Sequence, residues 1–356
     1  MPKVLIAMSG GVDSTVAALL LKEQGYDCLG VTMRLWRDPI LERASKKSCC
    51  SSEDEDDAAV VCEQLGIPHE SACFTRLFEE KVIRDFVGEY ERGRTPNPCI
   101  ACNRYLKFDA LLDYAARQGC DCLATGHYVR LTRDAATGRL QLRRAPDKSK
   151  DQSYVLYMLT QEQLAKLRFP LGELSKNEVR AIGERAGLIN AEKHESQDIC
   201  FIPDGDYGAF LERFTGKHYP AGDFLDREGR VLGRHRGAVR YTLGQRRGLE
   251  LPMGERVYVC GKDMARNTVT VGPEAALYSR ELLAEDVNWL SIPEPGEPLR
   301  VTACTRYHQA ATPATVWALP ERRLRLVFDE PKRAVTPGQA VVLYDGELVL
   351  GGGTIL

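Results

Sequence analysis

Three cysteines carry the first chemical signal in this chain. Cys99 and Cys102 lie in Thr95-Pro96-Asn97-Pro98-Cys99-Ile100-Ala101-Cys102-Asn103, and Cys200 lies in Ser196-Gln197-Asp198-Ile199-Cys200-Phe201-Ile202-Pro203. A Cys-x-x-Cys pair reads as a redox dithiol, as half of a metal site, or as one catalytic thiol with a neighbour. Zinc would want a second pair at similar spacing, and neither Cys120-x-Cys122 nor Cys49-Cys50 supplies one. A cluster on three thiolates, with Cys200 as the third, stays open. On spacing alone Cys200 reads as a buried structural thiol, because free cysteine is commonly core. Cys28, Cys62, Cys73, Cys120, Cys122, Cys260 and Cys304 stand in apolar or strand-like surroundings and read as packing residues.

The second signal is Ala7-Met8-Ser9-Gly10-Gly11-Val12-Asp13-Ser14, directly after the apolar run Val4-Leu5-Ile6. A strand that turns through two glycines into a helix leaves backbone N–H groups facing outward at the helix N-terminus, and with the helix dipole these form an anion site. The glycines allow a tight turn and close approach to a ligand. No lysine follows, so the Gly-x-x-x-x-Gly-Lys-[Ser/Thr] pattern is absent, and Gly-x-Gly-x-x-Gly does not fit either. Ser-Gly-Gly-x-Asp-Ser resembles instead the PP-loop of the N-type ATP pyrophosphatases, which split ATP into AMP and pyrophosphate.

Elements must position these groups. Strands are expected at Val4 to Ala7, Cys28 to Met33 and Cys122 to Thr125, with helices over Thr15 to Gln24, Asp54 to Leu65, Arg76 to Arg92 and Phe108 to Gln118. That alternation implies a parallel α/β sheet with helices on both faces and ligands beyond the carboxyl ends of the strands, where the Ser9 loop, Met33 and Gly126-His127-Tyr128 would all lie. Asp38 to Ser52 reads as a mobile insertion, and Glu53 to Asp57 as the first turn of a solvated helix. Gln161 to Leu188 reads as helical, with a second helix opening at Lys176. After Pro203 short β-like segments broken by Gly and Pro take over: Val257 to Cys260, Thr268 to Val271, Leu299 to Ala303, Ala314 to Ala318, Arg323 to Phe328, Ala340 to Tyr344 and Leu348 to Leu350. Gly351-Gly352-Gly353 reads as a bulge or turn near a closing strand. The expected fold is thus α/β: a parallel-sheet nucleotide-binding domain over residues 1–205 that carries the three cysteines, a small β-rich linking domain over 206–280, and a C-terminal β-barrel over 281–356.

The chain has 356 residues, 44% of them hydrophobic, enough for a large core and two or three domains. Its formal net charge of -2 means that a nucleic-acid partner must show as a local patch. No segment resembles a signal peptide or a membrane span, so a cytoplasmic monomer without membrane contact is expected. In that compartment disulfides are disfavoured, and some of the twelve cysteines should do chemistry. The most basic segment holds Arg227, Arg230, Arg234, Arg236, Arg240, Arg246 and Arg247 against only Glu228; it reads equally as a track for a phosphate backbone or as a charged strand edge. Thr305-Arg306-Tyr307-His308-Gln309 combines a cation, an aromatic ring and an amide, as stacking on an unpaired RNA base requires.

Taken together, the motifs resemble the tRNA-specific 2-thiouridylase family. The resemblance rests on the Ser9 to Ser14 loop, Thr95 to Pro98 with Cys102-Asn103, Ala124 to Tyr128, Lys150-Asp151-Gln152-Ser153-Tyr154, Ser196 to Ile202, Tyr241-Thr242-Leu243-Gly244-Gln245-Arg246, Arg306-Tyr307 and Pro337-Gly338-Gln339, in that order along the whole chain. It implies an enzyme that adenylates C2 of the wobble uridine of tRNA and replaces its oxygen by sulfur, giving 2-thiouridine, AMP and pyrophosphate. It further implies that Ala7, Met8, Ser9, Gly10, Gly11, Val12, Asp13, Ser14, Met33 and Gly126 hold ATP, with Mg2+ on its phosphates. Asn97, Pro98, Cys99, His127, Lys150, Asp151, Gln152, Arg306, Tyr307 and Gln339 would contact tRNA. Cys200 would take sulfur as a persulfide from a donor or relay protein, and Cys102 would act with it, as nucleophile or by closing a disulfide that releases sulfur. One position departs from the pattern: some relatives carry Asp where this chain has Cys99. Cys99, Cys102 and Cys200 could therefore hold a [4Fe-4S] cluster with one open iron, as in related thiolases of tRNA. A small-molecule adenylating ligase is a further alternative, against which the cysteines and the β-rich half argue, as the loop argues against a non-catalytic RNA-binding module.

Overall fold

The computed structural model describes residues 1–36, 52–190 and 199–356. The expected insertion at Asp38 to Ser52, apart from Ser52 itself, and the Ser196-Gln197-Asp198 motif lie outside the described residues.

Val4, Leu5 and Ile6 are wholly buried, as a central strand covered on both faces demands. Their strand, Lys3–Ala7, pairs in parallel with Asp27–Arg34 on one side and Cys122–Ala124 on the other. His69–Cys73 and Leu167–Arg168 complete a five-stranded parallel sheet as its two edges. One face packs on Val16, Ala17 and Leu21 of the helix Val12–Glu23, and the other on Phe108, Leu111 and Ala115. Gly25, at φ +83°, ends the first helix in the left-handed conformation that a glycine cap supplies.

Three expectations are corrected. The helix expected from Phe108 begins ten residues earlier: Pro98–Ala101 runs through a π-helical stretch, Cys102–Ala110, into Leu111–Arg117. Pro98 sits in the first turn, where its missing N–H costs nothing, and Asn97 caps that turn by accepting from Cys99 N–H at 3.1 Å. The second helix expected to open at Lys176 is there as Lys176–Arg185, but the helical reading of the stretch before it holds only over Gln161–Ala165, after which comes the edge strand Leu167–Arg168. Pro170 cannot donate within a helix, and Gly172 lies so close to the Val129 carbonyl that a Cβ there would stand 2.3 Å from it. Cys73 is exposed rather than packed, and hydrogen bonding from Thr75 lowers its thiol pKa, whereas burial raises those of Cys28, Cys62, Cys122 and Cys304.

Beyond the helix Tyr207–Thr215, a four-stranded sheet orders Tyr258–Asp263, Thr268–Gly272, Gly222–Leu225 and Val231–His235 around Phe224, Val259 and Val269. Six further strands close into a barrel. They run Tyr278–Trp289, Arg323–Arg333, Thr312–Leu319, Leu299–Cys304, Ala340–Asp345 and Leu348–Ile355, and the last pairs back with the first. Gly351 to Gly353 fall in that closing strand, whose ladders shift register beside them. A Cβ on Gly352 would stand 2.8 Å from the Tyr157 ring, so the glycines let the barrel seat against the first domain. A hairpin of that domain, Val129–Arg133 with Leu140–Arg144, adds to the barrel sheet through Leu348 and Arg143.

Candidate active site

The Ser9 loop is built almost entirely by itself. Gly10 takes φ +70°, and a Cβ there would lie 2.4 Å from the Asp54 carbonyl. Ser14 Oγ donates to Gly11 C=O at 3.0 Å and accepts from Ser9 N–H at 3.1 Å, which folds the loop over the first turn. Gly11 stands at the N-cap with no side-chain cap, so the first-turn N–H groups are left for a ligand. Gly126 closes the far wall; a Cβ on it would stand 2.9 Å from Ser14 N.

A cavity of about 200 Å³ opens on this loop. Ala7, Met8, Ser9, Asp13, Ser14, Met33 and Gly126 line it, seven of the expected ATP contacts, together with Val31, Lys107, Thr125, His127 and Gln152. Gly10 and Gly11 shape the turn instead, and Val12 is buried in the core behind it. Three groups, Lys176, Asn190 and Lys107, had no sequence signal, and Tyr128 comes with the Gly126-His127-Tyr128 motif. Lys176 Nζ donates to Asp13 Oδ1 at 2.7 Å, and Tyr128 OH donates to the same oxygen at 2.6 Å. Asn190 Nδ2, brought from beyond the helix Lys176–Arg185, donates to Gly10 C=O at 3.1 Å and to Thr15 Oγ1 at 2.7 Å. Lys107 lies on the π-helical stretch that begins at Cys102, so the stretch carrying that thiol also reaches the nucleotide cavity.

Cys102 and Cys200 are half-buried, and both pack against one apolar cluster that includes Phe78, Phe86, Leu106 and Phe201. Cys99, on the turn before Cys102, is exposed. Among the described residues no three His, Cys, Asp or Glu side chains are grouped to hold a metal, so Cys99, Cys102 and Cys200 do not form the ligand set a cluster needs.

The expected RNA contacts fall on three surfaces. His127 and Gln152 belong to the nucleotide cavity. His127 is buried beside Phe108 and Phe169, and burial, with Lys107 nearby, holds its imidazole neutral, well below its ordinary pKa. Gln152 Oε1 accepts from Tyr128 N–H at 3.0 Å. Asn97 lines a larger cavity of about 580 Å³ between the first domain and the barrel, where Gln339 Nε2 donates to Thr95 C=O at 2.7 Å. Pro98 is buried beneath Asn97. Asp151, Arg306 and Tyr307 meet at a third cavity of about 520 Å³, with Arg144 stacked 3.7 Å from the Tyr344 ring centre. Lys150, half-buried, adjoins it. Arg306 ties the barrel to the middle domain: it donates to Leu243 C=O at 3.1 Å, and within the barrel to Ala334 C=O at 3.3 Å and Thr336 Oγ1 at 2.6 Å. Of the basic segment, Arg230, Arg234, Arg236 and Arg240 are ion-paired with acids, which favours the charged-edge reading for those four. No helix among the described residues is long and apolar enough to cross a membrane.

The three parts of the chain match three family models. Residues 2–204 match the tRNA methyl transferase HUP domain, 208–273 the tRNA methyl transferase PRC-barrel domain, and 279–355 the aminomethyltransferase beta-barrel domain. The chain is 48% identical over 354 residues to the tRNA-specific 2-thiouridylase MnmA of Acetivibrio thermocellus, covering 99% of each. It is 51% identical over 355 residues to the protein of the same name from Pelotomaculum thermopropionicum, covering 99% of this chain and 97% of that one. With that of Clostridioides difficile it shares 46% over 353 residues, 99% and 98% of the two chains.

Proposed function

Because this chain belongs to the tRNA-specific 2-thiouridylase family, we propose that its loop and its two half-buried cysteines carry the two halves of one uridine thiolation. ATP enters as its magnesium complex, and the N–H groups of Ser9 to Ser14 receive its phosphates. The C2 oxygen of the wobble uridine attacks the α-phosphorus and pyrophosphate leaves, which turns a poor leaving group into AMP. A donor protein has by then placed a sulfur on Cys200 as a persulfide. Its terminal sulfur attacks C2 and AMP departs, leaving the base joined to Cys200 through an S–S bond. Cys102 thiolate attacks Cys200 Sγ, the S–S bond breaks, and the sulfur stays on C2 as the thiocarbonyl. The product is 2-thiouridine, with a Cys102–Cys200 disulfide that a thiol reductant must reopen before the next turnover.

One observation carries this reading: the π-helical stretch that starts at Cys102 extends to Lys107 in the wall of the nucleotide cavity. A segment that touches both halves can time sulfur release with adenylation. Lys107 brings positive charge to where negative charge builds on the transferring phosphoryl group. His127, neutral beside it, adds no competing charge.

The experiment is thiolation of tRNA by the full chain with MgATP, a persulfide donor and a reductant. Cys200→Ser and Cys102→Ser should each lower the rate by at least about 1,000-fold, while MgATP binding stays at the parent level. In a single turnover of persulfide-loaded Cys102→Ser without reductant, a covalent tRNA–enzyme adduct, released by added thiol, is expected to accumulate. Thiolation at the parent rate by either variant would overturn the assignment.

A further inference from the structure

Asp13 stands in the wall of the cavity proposed to receive MgATP, whose net charge stays negative with the metal bound, so that an unpaired carboxylate there adds repulsion. Repulsion between it and phosphate oxygens a few ångströms away grows as water is excluded. The chain meets that problem from a distant helix. Lys176 Nζ lies 2.7 Å from Asp13 Oδ1, and Tyr128 OH holds the same oxygen at 2.6 Å. Lys176 is only 6% exposed, and an ammonium is buried that deeply only against an opposite charge. Its backbone is fixed as firmly as its side chain. Ser175 and Glu178 form a reciprocal capping box around it, and Lys176 N–H donates to Asp147 Oδ2 at 3.2 Å. Among the described residues the cavity walls include Asp13 but not Lys176, so the cation stands behind the carboxylate.

We propose that Lys176 is the positioning residue of the nucleotide site: it cancels the charge of Asp13 and, with Tyr128, fixes that carboxylate, so that the Ser9 to Ser14 loop accepts a polyanion. The loop lacks a lysine of its own, and Lys176 supplies that charge balance from a helix, remote in sequence, that packs against the loop's own helix. This inference rests on the reading of the cavity as the ATP site.

The test is equilibrium binding of MgATP and of adenosine to the full chain as parent, Lys176→Met, Lys176→Arg, Asp13→Asn and the Lys176→Met/Asp13→Asn double variant. Lys176→Met should weaken MgATP by about 50-fold and adenosine by no more than roughly twofold, because only the polyanion meets the uncovered carboxylate. Lys176→Arg keeps the charge and should stay within about fivefold of the parent. The double variant should bind MgATP as Asp13→Asn does, since no unpaired charge remains. If Lys176→Met does not fold, the double variant against Asp13→Asn carries the test alone. Parent-like MgATP binding by Lys176→Met, equal loss of MgATP and adenosine, or further loss in the double variant beyond Asp13→Asn would each overturn the proposal. A parent that binds no MgATP would instead overturn the ATP reading on which it rests.

Discussion

The nucleotide loop and the Arg306 junction hold polar groups in place by opposite means. The loop is held mainly by its own neighbours: Ser14 bonds Gly11 and Ser9, and Gly10 lies so close to Asp54 that only glycine fits. Arg306 belongs to the barrel domain, yet its guanidinium reaches Leu243 in the middle domain and packs at a cavity walled partly by Arg144 and Asp151 of the first. Burial, with Arg333 nearby, lowers the Arg306 pKa from its ordinary value, and its Nε is buried without a partner among the described residues. A small cosubstrate can be held by a local turn. A surface assembled from several domains depends instead on contacts, like those of Arg306, made between them.

The separation breaks if one region fails with the other. Gly10→Ala forces a Cβ against the Asp54 carbonyl at φ +70°, where a side chain is strained as well as crowded. MgATP affinity is expected to fall by about 100-fold or more through loss of the loop geometry, with tRNA affinity unchanged in a gel-shift titration. A parallel loss of tRNA binding would show that the loop supports more than its own cavity.

Arg306→Ala reverses the pattern. It removes a charge and three hydrogen bonds at the junction, and tRNA affinity should fall by roughly 10-fold with MgATP affinity intact. Arg306→Lys should recover little, because an ammonium on a flexible stem lacks the rigid planar head that holds Nη2 against its three acceptors. Full recovery by lysine would reduce the role of Arg306 to simple charge.

The two regions also differ in what could be read from the chain. The loop, its strand and its helix were legible because residues adjacent in sequence do the whole task, and alternating strands and helices announced the parallel sheet. Lys176, Asn190 and Lys107 were silent: each is an ordinary helix or loop residue until the fold carries it to Asp13, Gly10 or the cavity wall. The hairpin Val129–Arg133 with Leu140–Arg144 was missed because its strands are rich in arginine, whose stems pack while their heads pair, as Arg130 does with Glu347 and Glu173. The strand Tyr278–Trp289 was hidden because Glu281, Glu285 and Asp286 interrupt its apolar residues. Helix breaks at Pro170 and Gly172 were overridden by flanking helical residues, and the start of the helix at Pro98 was missed although proline suits a first turn.

His127 gives the smallest and most exacting test, since it was expected at tRNA yet lies buried between the nucleotide cavity and the core. Its pKa is lowered by burial first and by Lys107 second, so the folded protein binds its proton less readily than the unfolded chain does. Below the unfolded value the unfolded chain holds the extra proton; stability is therefore full above about pH 6.5 and lost as pH falls. For this one group the slope cannot exceed about 1.4 kcal/mol per pH unit. Chemical denaturation between pH 5 and 8 should show that slope in the parent, and His127→Gln should remove it while keeping the amide contact to Thr125 available. A slope unchanged by the substitution would place the proton uptake elsewhere and leave His127 open to charge-based contact with RNA, erasing the contrast between the two regions at the residue where they touch.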